Sequence, residues 1–119
     1  MNAEREEPTM HAISLTQLAD EQLAEARQAG SGRASQTVHG GHEHALRQTL
    51  VALASGQELA EHNSPGEATL QVVRGRVRLL AGNETWDGAP GDHVTIPPVR
   101  HALQALEDAA VLLTVSVSR

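Results

Sequence analysis

The chain has 119 residues, 39% of them hydrophobic and 20% charged, which suits one folded domain and leaves no room for a second core. Trp86 is its lone residue among Phe, Tyr and Trp, which argues against base-stacking platforms, sugar-stacking faces and aromatic cages. Fifteen acidic side chains against nine basic ones give a net charge of −6, a surface that repels phosphate backbones and argues against nucleic acid as a partner.

Residues 1–12 include Glu4, Arg5, Glu6 and Glu7 without an apolar run, so they read as a flexible tail and not as a signal peptide. No later stretch approaches the roughly 20 apolar residues of a membrane span, and the expectation is a cytoplasmic protein with no membrane partner. Residues 13–34 read as a helix and its linker. Ser14 is placed as an N-cap, with Gln17 three residues on to complete a capping box and Ile13 set to staple Leu18. The helix is expected over 15–28, stopping at Ala29-Gly30, with Gly30-Ser31-Gly32 as the break. Leu15, Leu18, Ala19, Leu23 and Ala26 form one stripe, which predicts docking on a barrel end or an oligomer interface.

From Arg33 onward short apolar runs alternate with turn residues. Strands are expected at 35–39, 46–54, 69–73, 76–81, 84–87, 93–96, 102–106 and 111–117. Eight short strands over residues 35–119 predict an all-β sandwich or barrel. Two hairpins follow from turn chemistry. Gly82-Asn83 suits a two-residue loop that sets Leu79 opposite Trp86 and Arg78 opposite Asp87. Arg74-Gly75-Arg76 marks a tighter reversal between Val73 and Val77, with a positive φ at Gly75. The apolar run 111–115 is safest when covered.

Two stretches carry a resemblance. Gly56, His62, Ser64, Ala68 and Gly75 keep the spacing of G-x5-H-x-H-x3,4-E-x6-G, with Ser64 in place of the second histidine and Ala68 in place of the glutamate. Asn63-Ser64-Pro65-Gly66-Glu67 forms the intervening loop, and Glu67 falls one residue short of the ligand position, a shift that turns a strand side chain to the opposite face. Gly91-Asp92-His93-Val94-Thr95-Ile96-Pro97-Pro98 matches the opening of a second motif, G-x5-P-x-G-x2-H-x3-N. Beyond it Val99 stands for glycine, His101 comes one place early and Ala105 falls near the asparagine. The stretch 56–117 therefore resembles the cupin superfamily, in particular its short single-domain members. The resemblance implies an all-β jelly-roll β-barrel preceded by the N-terminal helix, and a homodimer.

It also implies a mouth site of three histidines and a glutamate holding a divalent transition metal. This chain keeps His62 and His101 of those four. With no cysteine, any metal must be held by His, carboxylate or amide. Two imidazoles alone hold a divalent ion weakly, so His62 and His101 are candidate metal ligands of a site that is either retained or vestigial. Together with Ser64 they are also candidate lining of a ligand pocket. In His39-Gly40-Gly41-His42-Glu43-His44, the residues His42 and His44 would share a face if the strand began that early, which makes His44 a further candidate ligand. Gln48, Gln71 and Gln104 are possible neutral donors, whereas His93 and His11 read as surface residues.

Three functions stay open. The first is a cupin of unassigned activity that binds a small molecule or a weakly held metal in the barrel. The second is a metal-dependent oxygenase or isomerase using His62 and His101, which would require Glu67 to reach inward. The third is a regulatory or interaction module. Whether the chain is an enzyme is left undecided by the sequence.

Overall fold

A computed structural model describes residues 8–62 and 66–116, the side chains of 61 and 62 excepted. Its first element is the helix α1 (Leu15–Gln28). The Ser14 Oγ accepts the Gln17 backbone N–H at 3.2 Å, so the N-cap forms as expected. The reciprocal half of the capping box does not appear. Gln17 Nε2 instead donates to Glu21 Oε2, one turn further on, at 3.3 Å, because an i, i+4 partner lies within easy reach on the same face. The staple is also loose: Ile13 stays 54% exposed, while Leu18 is buried among the sheet residues beneath the helix. Ala29 ends the helix by turning extended while its N–H still reaches the Glu25 and Ala26 carbonyls.

The strands are β1 (Arg33–His39), β2 (Leu46–Leu53), β3 (Glu58–His62), β4 (Ala68–Arg74), β5 (Val77–Ala81), β6 (Glu84–Gly88), β7 (His93–Ile96), β8 (His101–Ala105) and β9 (Ala109–Ser116). That is one more than the sequence suggests. The addition is β3, whose span holds Leu59 as its one large apolar residue and so lacks an alternating signature. Two antiparallel sheets result, ordered β1-β2-β9-β4-β7 and β3-β8-β5-β6. No pairing among the described residues joins the two sheets, so the barrel is not closed and the domain is a two-sheet sandwich with a helix on one side.

Gly82-Asn83 closes the expected hairpin, with Leu79 opposite Trp86 and Arg78 opposite Asp87. Arg78 and Asp87 make two parallel bonds, Nε to Oδ1 at 2.8 Å and Nη2 to Oδ2 at 3.0 Å. The second expected hairpin is a different object. β4 and β5 belong to opposite sheets, so Arg74-Gly75-Arg76 is a corner that carries the chain across the sandwich. Gly75 has φ 73° there, and a Cβ would collide with the Asp108 carbonyl oxygen, so both backbone conformation and space require glycine. Arg74 pairs with Asp20 on α1 at 3.0 Å, and the arginine run is thus divided between partners and solvent.

The core has two parts. Val51, Leu53, Leu70, Val72, Val77, Leu79, Leu103 and Val111 pack between the sheets. Leu18, Ala19, Leu23 and Ala26 of α1 pack against Leu50, Ala52, Val73, Ala110 and Leu112 on the outer face of the five-stranded sheet. The helix therefore covers a sheet face and not a barrel end. β2 and β9 are consequently buried on both faces, which is why Leu50-Val51-Ala52-Leu53 and Ala110-Val111-Leu112 read as continuous apolar runs. β9 lies inside its sheet between β2 and β4, so the run 111–115 is covered by the fold itself. Trp86, partly buried, packs at the edge of the inner core and lies over Gly88, whose missing side chain leaves room for the indole.

Candidate functional site

The loop Pro97-Pro98-Val99-Arg100 leads from β7 in one sheet to β8 in the other. Proline lacks an N–H and fixes φ, which favours a sharp change of direction; here the Val99 N–H returns to the Pro97 carbonyl at 2.8 Å. The turn delivers His101 as the first residue of β8, 6% exposed and the one polar or charged residue among those buried in the described chain. Its Nδ1 lies 2.9 Å from the Val99 carbonyl oxygen. A carbonyl can only accept, so Nδ1 carries the hydrogen, and in the neutral ring Nε2 keeps the lone pair. This is the tautomer in which a histidine can accept a ligand's proton donor or coordinate an ion.

His101 borders an interior cavity of about 30 Å³ whose other lining is aliphatic, including Leu59, Leu70, Leu79, Leu103 and Leu113. A volume of that size accommodates one or two water molecules, far short of the roughly 300 Å³ of a drug-sized pocket. Among the described residues no Asp, Glu, Lys or Arg side chain lines it.

The other candidates distribute as follows. His62 ends β3, and its backbone stands opposite His101 across the β3–β8 ladder, after an irregularity between Leu59 and His62. The side chain of His62 and the whole of Ser64 lie outside the described residues. Ala68 is 4% exposed and belongs to the core between the sheets, so a methyl group faces inward where the motif would have a carboxylate. Glu67 is exposed, one residue before β4 begins. His44 is exposed in the β1–β2 connection with its ring against His39, while His42, His93 and His11 are exposed as well. Gln48 is engaged within the sheet, its Nε2 donating to Thr114 Oγ1 at 3.2 Å.

Among the described residues no group of three or more His, Asp or Glu side chains is arranged to hold a metal ion. The four-ligand set that the motif implies therefore does not fit this chain: one position is an alanine methyl in the core, and Glu67, next to it in sequence, is exposed. The Val99 carbonyl was not legible beforehand. Its signal in the sequence was a Pro-Pro pair three residues before a histidine, which announces a turn but not which atom the ring will meet.

No family model and no curated protein sequence matches the chain. Solved structures do. A Streptococcus pyogenes protein of unknown function superposes with a TM-score of 0.74 at 26% identity, covering 94% of this chain and 91% of that one. A cupin superfamily protein from Desulfitobacterium hafniense gives 0.67 at 16% identity, covering 72% and 78% of the two chains. The salicylate 1,2-dioxygenase of Pseudaminobacter salicylatoxidans gives 0.70 at 22% identity, and the likeness covers 84% of this chain but 33% of the dioxygenase. At these last two identities the likeness is one of fold.

Proposed function

We propose that this chain, which has the fold of small cupin domains, is a ligand-binding cupin without a resident catalytic metal, which receives a small polar molecule, or a weakly held divalent ion, at the His101 end of the sandwich. The observation that carries this reading is His101: buried, oriented by the Val99 carbonyl, and the one polar side chain among the described residues that line an aliphatic cavity. A polar ring held in one orientation in apolar surroundings favours a ligand with a complementary polar group over a purely apolar one. The cavity admits only the tip of such a ligand, so the rest of it would be seated outside the cavity.

A thermal-shift screen of small hydroxy, amide and carboxylic compounds tests this. A ligand at a hundredfold excess over its Kd stabilises the folded chain by about 2.7 kcal/mol, and the shift should be lost in His101→Gln. A screen in which no compound class moves the melt would overturn the reading. Metal analysis of tag-free protein separates the second reading, an oxygenase or isomerase with His62 and His101 as ligands. The tautomer of His101 suits that reading, whereas Ala68 and the exposed Glu67 oppose it. Near-stoichiometric metal that disappears in His62→Ala plus His101→Ala would establish the second reading and remove the first. We further propose a cytoplasmic homodimer. No helix among the described residues is long and apolar enough to cross a membrane, and a monomeric mass by light scattering at micromolar concentration would refute the dimer.

A further inference from the structure

The histidine-rich turn at the far end of β1 has no part in the site around His101. β1 and β2 pair regularly as far as Thr37 opposite Thr49, then the register shifts and His39 stands opposite Gln48. Such an irregularity re-aims the side chain beside it. The turn that follows, Gly41-His42-Glu43-His44, is closed by the His44 N–H donating to the Gly41 carbonyl at 3.2 Å. Gly41 has φ 126°, and a Cβ there would lie 3.7 Å from His44 Cδ2, so the bare glycine sits against the edge of that ring. The outcome is that the His39 and His44 rings, both exposed, lie with centroids 4.6 Å apart and planes inclined by 42°.

We propose that His39 and His44 form a two-imidazole site for a borderline divalent transition-metal ion of the nickel and copper class, on the hairpin tip and outside the sandwich. Two imidazoles bound to one ion at nitrogen distances of about 2.0–2.1 Å bring their ring centres to roughly 4.5 Å when the angle at the metal is a right angle, and to roughly 5.2 Å when it is tetrahedral. The observed 4.6 Å falls within the span of two rings on one ion, and Cu²⁺ stands highest in the affinity order of the first-row divalent ions, with Ni²⁺ beside it. Imidazole is a ligand of choice for these ions, and water completes the shell at an exposed tip. Glu43 brings a carboxylate to the same turn, and Arg47, whose stem flanks Gly40, brings a guanidinium, so the tip has no net formal charge to repel a cation.

The test is calorimetric titration of the tag-free full chain with NiCl₂, beside variants His39→Asn, His44→Asn, His42→Asn and the pair His62→Asn, His101→Asn. About one equivalent should bind to the wild type, with affinity falling about tenfold or more in His39→Asn and in His44→Asn, because each ligand lost weakens a site of two donors severely. His42→Asn should bind as the wild type does, and the His62, His101 double variant should keep the equivalent held at the tip. Because His39, at the end of β1, and His44, in the connection, are exposed, their variants should melt as the wild type does. A second readout is substoichiometric Cu²⁺, which should broaden the ring signals of His39 and His44 before those of any other histidine. Affinity unchanged in both tip variants, or lost only in the His62, His101 double variant, would overturn the proposal. Failure of the ligand screen above would leave this result untouched.

Discussion

At the scale of single residues, the informative positions are those where local chemistry and long-range geometry meet. Gly75 is one. Its positive φ and the Asp108 carbonyl against its Cα predict that Gly75→Ala lowers stability by more than about 1 kcal/mol, read as a lower urea midpoint at unchanged slope. Asp108 is another, since its Oδ2 takes the Arg27 Nε at 2.7 Å and its Oδ1 takes the Ser55 N–H at 2.7 Å. The Arg27 guanidinium first, and the Ser55 N–H after it, hold its carboxyl below the usual carboxylate range. Arg74 does the same for Asp20, and Arg78 for Asp87. A carboxyl with a depressed folded pKa binds fewer protons folded than unfolded, so stability rises with pH in that window. The contribution is complete above the unfolded value of about 4 and is lost as pH falls through the folded value. Asp108→Asn should therefore be less stable at neutral pH, by about 0.5–1 kcal/mol given the solvent screening at this site. Its urea midpoint should also decline less on acidification below about pH 4. An equal decline in both proteins would contradict this. The Arg78–Asp87 pair was readable in the sequence because a two-residue turn dictates register; the Asp108 bonds were not, because Arg27 lies on another element far along the chain.

At the scale of elements, α1 was readable to the residue. Its limits are set by capping groups within a few positions of each end, and its stripe by a period that needs no tertiary information. What the stripe docks on was not readable, since an apolar face does not specify its partner. The packing on Leu50, Ala52 and Ala110 predicts that Leu23→Ala costs about 2–4 kcal/mol, measured by urea unfolding. A cost under about 0.5 kcal/mol, as for a surface substitution, would show that the helix is not held there. β3 escaped notice for the opposite reason. It is an edge strand whose Glu58 and Ala60 are exposed and whose one large apolar residue, Leu59, is only partly buried, and nothing in 58–62 distinguishes it from a loop. The motif spacing singled out His62 and His101 all the same, though not the β3–β8 ladder that sets their backbones opposite one another.

For the whole molecule, the strand order is the part the sequence withheld. Turn chemistry identifies neighbours in sequence, whereas β9 pairs with β2 and β4, whose partner residues lie 36 to 70 positions upstream. It is the strand on which the two core clusters meet: Val111 belongs to one, Ala110 and Leu112 to the other. A chain ending at Asp108 would leave β2 and β4 without their shared neighbour and both clusters open, and no cooperative unfolding transition should be detectable by circular dichroism. A sigmoidal transition in that truncation would show that the two halves fold separately. Non-local pairing of this kind also slows folding. The scarcity of aromatic rings has a practical counterpart. Trp86 is the sole indole, and it belongs to the β5–β6 hairpin, on the sheet that the helix does not touch. Its emission is a local reporter for one half of the molecule, while ellipticity near 222 nm is dominated, as a spectroscopic signal, by α1 on the other half. The two optical signals therefore monitor opposite sides of the sandwich without any label. Coincidence of their denaturation curves measures whether helix and hairpin melt as a single cooperative unit.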